Sequence, residues 1–118
     1  MEKLTHVEEE TMQAVWRTGE GNVKSFIENL DEPVPYTTVA SIIKNLEKKG
    51  YLQSRLVGNV YLYKPVVSED DYKKKFLGNV VKEYFDNSYK ELVNFFVKQK
   101  KLSAKELKEI IDLIENKK

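Results

Sequence analysis

Apolar residues recur at helical spacing in the first part of the chain, between residues typical of helix boundaries. Thr5 and Glu8 have the spacing of a capping box, in which a hydroxyl and a carboxylate satisfy free N–H groups at a helix start. Gly19 and Gly21 end this helix, and Asn22 can cap a second one. The two apolar helix sides consist of Val7, Met12, Val15 and Trp16, and of Val23, Phe26, Ile27 and Leu30.

Residues 36–65 read YTTVASIIKNLEKKGYLQSRLVGNVYLYKP, which predicts a third helix followed by a β-hairpin. The two prolines in DEPVP break the second helix, and the third starts at Thr37 or Thr38 and ends at Gly50. An alternating segment then turns over at Gly58-Asn59. Three helices and a hairpin predict one compact unit over residues 1–66.

Residues 67–118 carry three further helix starts, Ser68-x-x-Asp71, Ser88-x-x-Glu91 and Ser103-x-x-Glu106. Three helices of this size cannot bury all their apolar surface alone, and a second copy of the chain is the commonest remedy. We therefore expect a helical homodimer domain over residues 67–118, with contacts from Phe76, Val80, Tyr84, Phe85, Leu92, Phe95, Phe96, Leu107, Ile110, Ile111 and Ile114.

The third predicted helix is two-sided. Its apolar residues Val39, Ile42, Ile43 and Leu46 fall within a wedge of about 100°. The opposite side has hydroxyls near the helix start and ammonium groups toward its end, a pattern typical of helices that read the DNA major groove. This side consists of Thr37, Ser41, Lys44 and Lys48, flanked by Thr38 and Asn45.

The net charge of +1 is unevenly distributed. Residues 1–35 hold three basic against eight acidic residues, whereas residues 36–66 hold five basic residues against one acidic residue. Local charge is what a polyanion meets. Arg55 and Lys64 on the hairpin are expected to grip the phosphate backbone, with Asn59 at the hairpin tip.

The order of helix, helix, polar-faced helix and basic hairpin is that of a winged helix-turn-helix. We therefore predict a mainly α fold with a small β-hairpin wing, and double-stranded DNA as the partner. Two other interpretations stay open. A polar helix face with a few lysines is also ordinary solvation, and some winged helices bind proteins instead of DNA.

Enzymatic, metal and membrane functions find no support in the sequence. Cysteine is absent and His6 is the one histidine, so the usual zinc or copper site cannot be built within one chain. The acidic runs at 8–10 and 69–71 are interpreted as solvated helix starts favoured by the helix dipole. Without a signal peptide or an apolar run near the roughly 20 residues that span a bilayer, we expect a cytoplasmic protein that needs no cofactor.

Four stretches resemble the penicillinase and methicillin-resistance repressor family (BlaI/MecI/CopY-type winged-helix repressors). They are LTHVEEETMQAVW (4–16), PYTTVASIIKNLEKKGYL (35–52), GNVYLYKPVVSEDDYKKK (58–75) and LSAKELKEIIDLIENKK (102–118). The resemblance implies a homodimer, joined through its C-terminal helices, that represses a resistance or stress operon at a palindromic operator. It also implies that two recognition helices enter successive major grooves about 34 Å apart. It assigns Thr37, Thr38, Ser41, Lys44 and Asn45 to the recognition helix, with Lys48 near its end.

The chain departs from this family's pattern in two places. Copper-responsive members carry a cysteine-rich tail that this chain lacks, which argues against direct copper sensing. The β-lactam-responsive members are cut between Asn and Phe, which brings in a membrane sensor protease as a partner. Here Asn94-Phe95 is present, but alignment on the flanking LV and LS moves the cleaved pair to Phe95-Phe96. Proteolytic relief therefore stays open, and so does a ligand-gated regulator with a small molecule between dimer helices.

Overall fold

The computed structural model describes residues 3–116, which form six helices and one antiparallel two-stranded hairpin. The predicted fold class, a mainly helical chain with a winged helix-turn-helix ahead of three further helices, is confirmed. The elements are α1 (His6–Thr18), α2 (Val23–Glu28), α3 (Tyr36–Lys48), β1 (Leu52–Val57), β2 (Val60–Pro65), α4 (Glu69–Tyr84), α5 (Tyr89–Lys98) and α6 (Ala104–Asn116).

The chain divides into two compact units, one ending at Lys73 and one beginning at Lys74. The boundary predicted from sequence, residue 66, lies before two contacts of the first unit. The indole Nε1 of Trp16 donates to the carbonyl oxygen of Val67 at 2.9 Å. The ring of Tyr72, in the first turn of α4, lies 5.6 Å from that of Trp16 and 6.0 Å from that of Tyr51. The first unit therefore includes the start of α4.

Side-chain caps fix most helix starts as predicted. Thr5 and Glu8 form the capping box of α1, and the Asn22 side chain accepts from the backbone N–H of Ser25. The prediction for α3 was wrong by one or two residues, because α3 begins at Tyr36 behind Pro35 without a side-chain cap. The three serine starts of the second half are confirmed, with Ser68, Ser88 and Ser103 accepting from the N–H groups of Asp71, Glu91 and Glu106.

The core of the first unit lies between α1, α2, α3 and the base of the hairpin. Met12 and Val15 from α1 meet Phe26 from α2 and Ile43 from α3, and all four are fully buried. Each buried side chain of this kind contributes about 1.5–3 kcal/mol to the free energy of folding. The first unit therefore has a hydrophobic core of its own. Ile42, at the edge of the predicted apolar wedge, is only half-buried.

The hairpin turns at Gly58-Asn59 as predicted, and Val57 pairs with Val60 at its end. Only its base reaches the core: Leu52 and Tyr63 are buried, whereas Leu56 and Val60 near the turn are exposed. Gly21 does not merely end a helix, as its sequence position indicated. Its N–H donates to the carbonyl oxygen of Tyr63 at 3.0 Å, and its carbonyl oxygen accepts from the N–H of Tyr63 at 2.8 Å. This bridge holds the hairpin against the α1–α2 connection.

The second unit has almost no interior of its own. Among described residues 74–116, Val81 is the one buried hydrophobic side chain. Within residues 3–116 no helix is long and apolar enough to cross a membrane. Large apolar side chains exposed on this unit are Phe76, Leu77, Tyr84, Tyr89, Val93, Phe95, Phe96, Val97, Ile110, Ile111, Leu113 and Ile114.

Replacing Gly21 by Ala is expected to destabilise the first unit by about 1–3 kcal/mol, the usual range for overpacking a core. The new Cβ would lie 3.3 Å from buried Phe26, 3.2 Å from Thr18, and within 2.4 Å of the Ser25 hydroxyl. That hydroxyl is held by the carbonyl oxygen of Asn22. Urea denaturation, monitored through the fluorescence of Trp16, measures the change in the free energy of unfolding.

The matched control is Gly78→Ala inside α4, where the added Cβ would meet nothing closer than the Tyr89 hydroxyl at 3.8 Å. This variant should be neutral or slightly stabilising, because alanine favours a helix over glycine. Equal denaturation midpoints for the wild type and Gly21→Ala would contradict the close packing around Gly21.

Candidate nucleic-acid interface

Helix α3 has a buried apolar face and an exposed polar face, as the sequence predicts, apart from the half-buried Ile42. Val39, Ile43 and Leu46 are at most 1% exposed and anchor the helix in the core. The predicted polar residues of this helix are all exposed and share one side. We call this surface the reading face; it comprises Thr37, Thr38, Ser41, Lys44, Asn45 and Lys48. The structure thus brings these side chains together, while their contact with DNA stays a prediction.

An open groove of about 500 Å³ runs between the reading face and the start of α1. Cations dominate its α3 side, where Lys44, Lys48 and Lys49 line it. The α1 side contributes Thr5, Val7 and Glu8. The reading face is therefore bordered on one side by the first turn of α1.

Glu8 is buried at 4% exposure, so the interpretation of residues 8–10 as a solvated helix start was wrong for Glu8, whereas Glu9 is half-buried and Glu10 is exposed. Its Oε1 accepts from Lys49 Nζ at 2.7 Å and from the Thr5 N–H at 2.9 Å. Its Oε2 accepts from Asn45 Nδ2 at 2.6 Å. Burial alone would raise the pKa of Glu8, but hydrogen bonds from Lys49, Thr5 and Asn45 outweigh it and hold the pKa below its usual value. Glu8 thus ties α1 to α3.

The pairing with Glu8 distinguishes Lys49, the residue that follows α3, from Lys44 and Lys48 within the helix. Lys49 is satisfied inside the protein, with its side chain 17% exposed. Lys44 and Lys48 are exposed, and within residues 3–116 neither forms an ion pair. Two ammonium groups on the reading face are therefore available to a polyanion.

Arg55 does not stand free on the hairpin. Its Nε and one terminal nitrogen donate to the two carboxylate oxygens of Glu20, at 2.9 and 2.7 Å. The hydrogen bond from Arg55 holds the pKa of Glu20 below its ordinary value, and Lys64 adds a weaker attraction. Arg55 and Lys64 lie on the same hairpin face, and Asn59 is exposed at the turn. Arg55 is thus already charge-paired, and its contact with phosphate stays a prediction.

The opposite hairpin face packs toward α3. The Ser54 hydroxyl donates to the carboxylate of Glu47, and Tyr63 is buried beside it. Burial raises the pKa of Tyr63, and the nearby Glu47 carboxylate raises it further. Tyr61, on the same face, is 56% exposed because it lies nearer the tip.

Comparison with known proteins now decides the family. The model of the family described as "Penicillinase repressor" matches residues 4–116. The chain belongs to the penicillinase repressor family. This is a family of transcriptional repressors and not of enzymes, so the expectation of a DNA-binding, non-enzymatic protein is confirmed at that level.

Two relatives of this penicillinase repressor family member have names that agree with the match. It is 24% identical over 115 residues to the penicillinase repressor of Bacillus licheniformis, covering 96% of this chain and 90% of that one. It is 24% identical over 117 residues to the methicillin resistance regulatory protein MecI of Staphylococcus aureus, covering 98% and 95%.

A solved structure also aligns with this family member along most of its length. It concerns the regulation of DNA binding of Bordetella bronchiseptica BpsR by 6-hydroxynicotinic acid. The TM-score is 0.49 at 16% identity, covering 98% of this chain and 76% of that one. A likeness of this degree carries no argument about function.

In this penicillinase repressor family member, the residues predicted for dimerisation are exposed or half-buried within the single chain. Phe95 lies at the centre of an aromatic group, with ring centroids 5.7 Å from Phe85 and 5.6 Å from Phe96. Asn94, beside this group on α5, is exposed. These positions fit the predicted dimer surface and cleavage segment, neither of which the single chain tests.

Replacing Glu8 by Gln is expected to lower the free energy of unfolding at pH 7 by roughly 1–3 kcal/mol, the usual worth of hydrogen bonds to a charged group. Because the folded-state pKa of Glu8 lies below 4.5, its contribution is complete above about pH 4.5 and is lost as the pH falls through the folded pKa. On acidification from pH 5 to pH 3 the wild type should therefore lose more stability than the variant. Denaturant titration at each pH measures the free energy of unfolding.

Glu10→Gln is the control, since the Glu10 side chain is 57% exposed and its ion-pair partner among residues 3–116 is exposed His6, one helical turn away. It should unfold like the wild type at pH 7. If Glu8→Gln also matched the wild type at both ends of the pH series, the buried pair would contribute nothing to stability.

Proposed function

We propose that the chain is a dimeric repressor that binds a palindromic operator through the reading face of each subunit and controls a resistance or stress operon of the β-lactam type. The two-sided burial of α3 carries this proposal. One side of the helix is locked into the core, and the other offers hydroxyl, amide and ammonium groups in a row. A helix held in this way can enter the major groove without deforming.

The charges on the reading face suit the two parts of DNA recognition. Lys44 and Lys48 would neutralise phosphates and release counterions, a contribution that falls steeply with salt concentration. Thr37, Thr38 and Ser41 are short and lie in the first half of α3, so the backbone there can approach base edges. Phosphate contacts would thus position the helix while hydroxyls read the sequence.

The hairpin would flank this helix on the operator backbone. Lys64 and Asn59 are exposed for that role. Arg55 is held by two hydrogen bonds to Glu20, so its charge is partly neutralised before DNA arrives. We therefore assign Lys64 the larger electrostatic share in the hairpin, with Arg55 fixing the hairpin against the α1–α2 connection.

Dimerisation through the second unit follows from its lack of an interior. Helices α5 and α6 have strongly one-sided apolar faces, and within the described residues neither buries a side chain. An apolar surface of this extent in a soluble monomer is unusual. A second copy of the chain would cover it and, by its two-fold symmetry, present two reading faces to a palindrome.

Cleavage within α5 would relieve repression under this proposal, with a membrane sensor protease as the partner. Asn94, Phe95 and Phe96 are exposed in the single chain, where α5 lacks buried anchors, so the backbone around them can open at low free-energy cost once the subunits separate. A cut there would separate α6 from α4 and remove the dimer surface. Mass spectrometry of the repressor from induced cells should find a fragment ending at Asn94 or Phe95; an intact chain in derepressed cells would rule out this route.

Lys44→Ala should weaken binding to every DNA sequence and reduce the slope of log affinity against log salt by about 2, because one phosphate contact is lost in each of the two subunits. Operator DNA for the measurement comes from selecting bound fragments out of the organism's sheared genome. Fluorescence anisotropy across a salt series then compares the wild type with Lys44→Ala and with Lys82→Ala, an exposed lysine of α4. Equal slopes for all three proteins would show that the reading face is misassigned.

Ile111→Glu should convert the dimer into a monomer and weaken operator binding, because a charge would enter the apolar interface between subunits. Ile111 is 52% exposed in the single chain, so its replacement should leave the helices intact. Lys105→Gln on the opposite side of α6 changes the charge by the same amount and should leave the dimer intact. Sedimentation velocity measures both; a dimeric Ile111→Glu protein would place the interface elsewhere.

A further inference from the structure

The amide of Asn45 is oriented by a group outside its own helix. Its Nδ2 donates to Glu8 Oε2 at 2.6 Å, although the two residues are 37 positions apart in the chain. Asn45 itself is exposed on the reading face, at the edge of the groove beside α1. One end of this amide is therefore anchored in the protein while the rest faces solvent.

The anchor is itself rigid. The other oxygen of Glu8 is held by Lys49 at 2.7 Å and by the Thr5 N–H at 2.9 Å. An ionised carboxylate only accepts hydrogen bonds, so the nitrogen of Asn45, and not its carbonyl oxygen, must face Glu8. Asn45 keeps one N–H donor and its Oδ1 acceptor for a further partner. An asparagine that uses one acceptor and one donor complements the N6 amino group and N7 of adenine in the major groove.

We propose that Glu8 is a positioning residue for base recognition: it fixes the amide of Asn45 so that Asn45 reads an adenine in the operator. This inference rests on the proposed function, because it needs the reading face to meet DNA. It assigns to the first helix a part in sequence preference without any contact to a base. It also distinguishes Glu8 from the lysines proposed to bind phosphate, because loss of those lysines should weaken binding to all DNA sequences alike.

The test measures the preference for each base along the operator. If Glu8 had only a structural role, its replacement would not change that preference at a single position. Operators with symmetric single-base replacements are titrated by anisotropy against the wild type, Glu8→Gln, Asn45→Ala and the double variant, with Glu10→Gln as the control. Glutamine has the shape of glutamate but can present either oxygen or nitrogen to Asn45, so the amide of Asn45 is free to turn over. If Glu8→Gln does not fold by circular dichroism, Glu8→Asp replaces it, since its shorter side chain withdraws the carboxylate from Asn45.

The wild type should disfavour replacement of one adenine by about tenfold or more, the usual worth of a bidentate contact. Glu8→Gln should lose most of that discrimination at this position alone, Asn45→Ala should lose it too, and the double variant should lose no more than Asn45→Ala. The control should match the wild type.

Two outcomes would overturn the inference while leaving the proposed function standing. In one, Glu8→Gln weakens all operators equally and keeps the adenine preference, which makes Glu8 a tie between helices only. In the other, Asn45→Ala keeps every preference of the wild type. If the wild type itself shows no salt-dependent operator binding, the proposed function fails and the inference fails with it.

Discussion

A carboxylate withdrawn from water must be fully paired, and the pairing of Glu8 joins α1 to α3, the helix that we propose binds DNA. Helix α3 has one face in the core and the other in solvent. A small rotation about its axis would therefore turn the reading face away from the direction in which it now points. Apolar anchors on one side resist that rotation, and Lys49 and Asn45 add a directional tie to α1. Packing thus sets which side of α3 faces solvent, and the hydrogen bonds to Glu8 hold its C-terminal end against α1.

The two units divide folding and assembly between them. The first buries residues from three helices and the hairpin and closes its hairpin with the Gly21–Tyr63 bridge. The second leaves its apolar side chains at the surface, with Val81 the one buried hydrophobic residue in its described part. Under the proposed function, a partner copy stabilises the C-terminal helices, and loss of that partner ends repression.

Features set by neighbouring residues could be predicted from sequence. The Thr5–Glu8 box, the Gly58-Asn59 turn and the two-sidedness of α3 each depend on a few consecutive positions. The distant pairs could not be found, because Glu8 with Asn45 and Arg55 with Glu20 each require knowing which of many carboxylates lies nearby. The exposure of Tyr61 could not be predicted for a related reason: alternation fixes a face of the hairpin but not how far the core extends along it.

The contact between α3 and DNA is the central claim, and amide chemical shifts in ¹⁵N-labelled protein test it most directly. On addition of selected operator DNA, the largest changes should fall on Thr37, Ser41 and Lys44 in α3 and on Asn59 in the hairpin turn. Amides of α6 should change little, because we propose that this helix contacts the partner subunit and not DNA. Changes concentrated in α5 and α6, with α3 unaffected, would contradict the account.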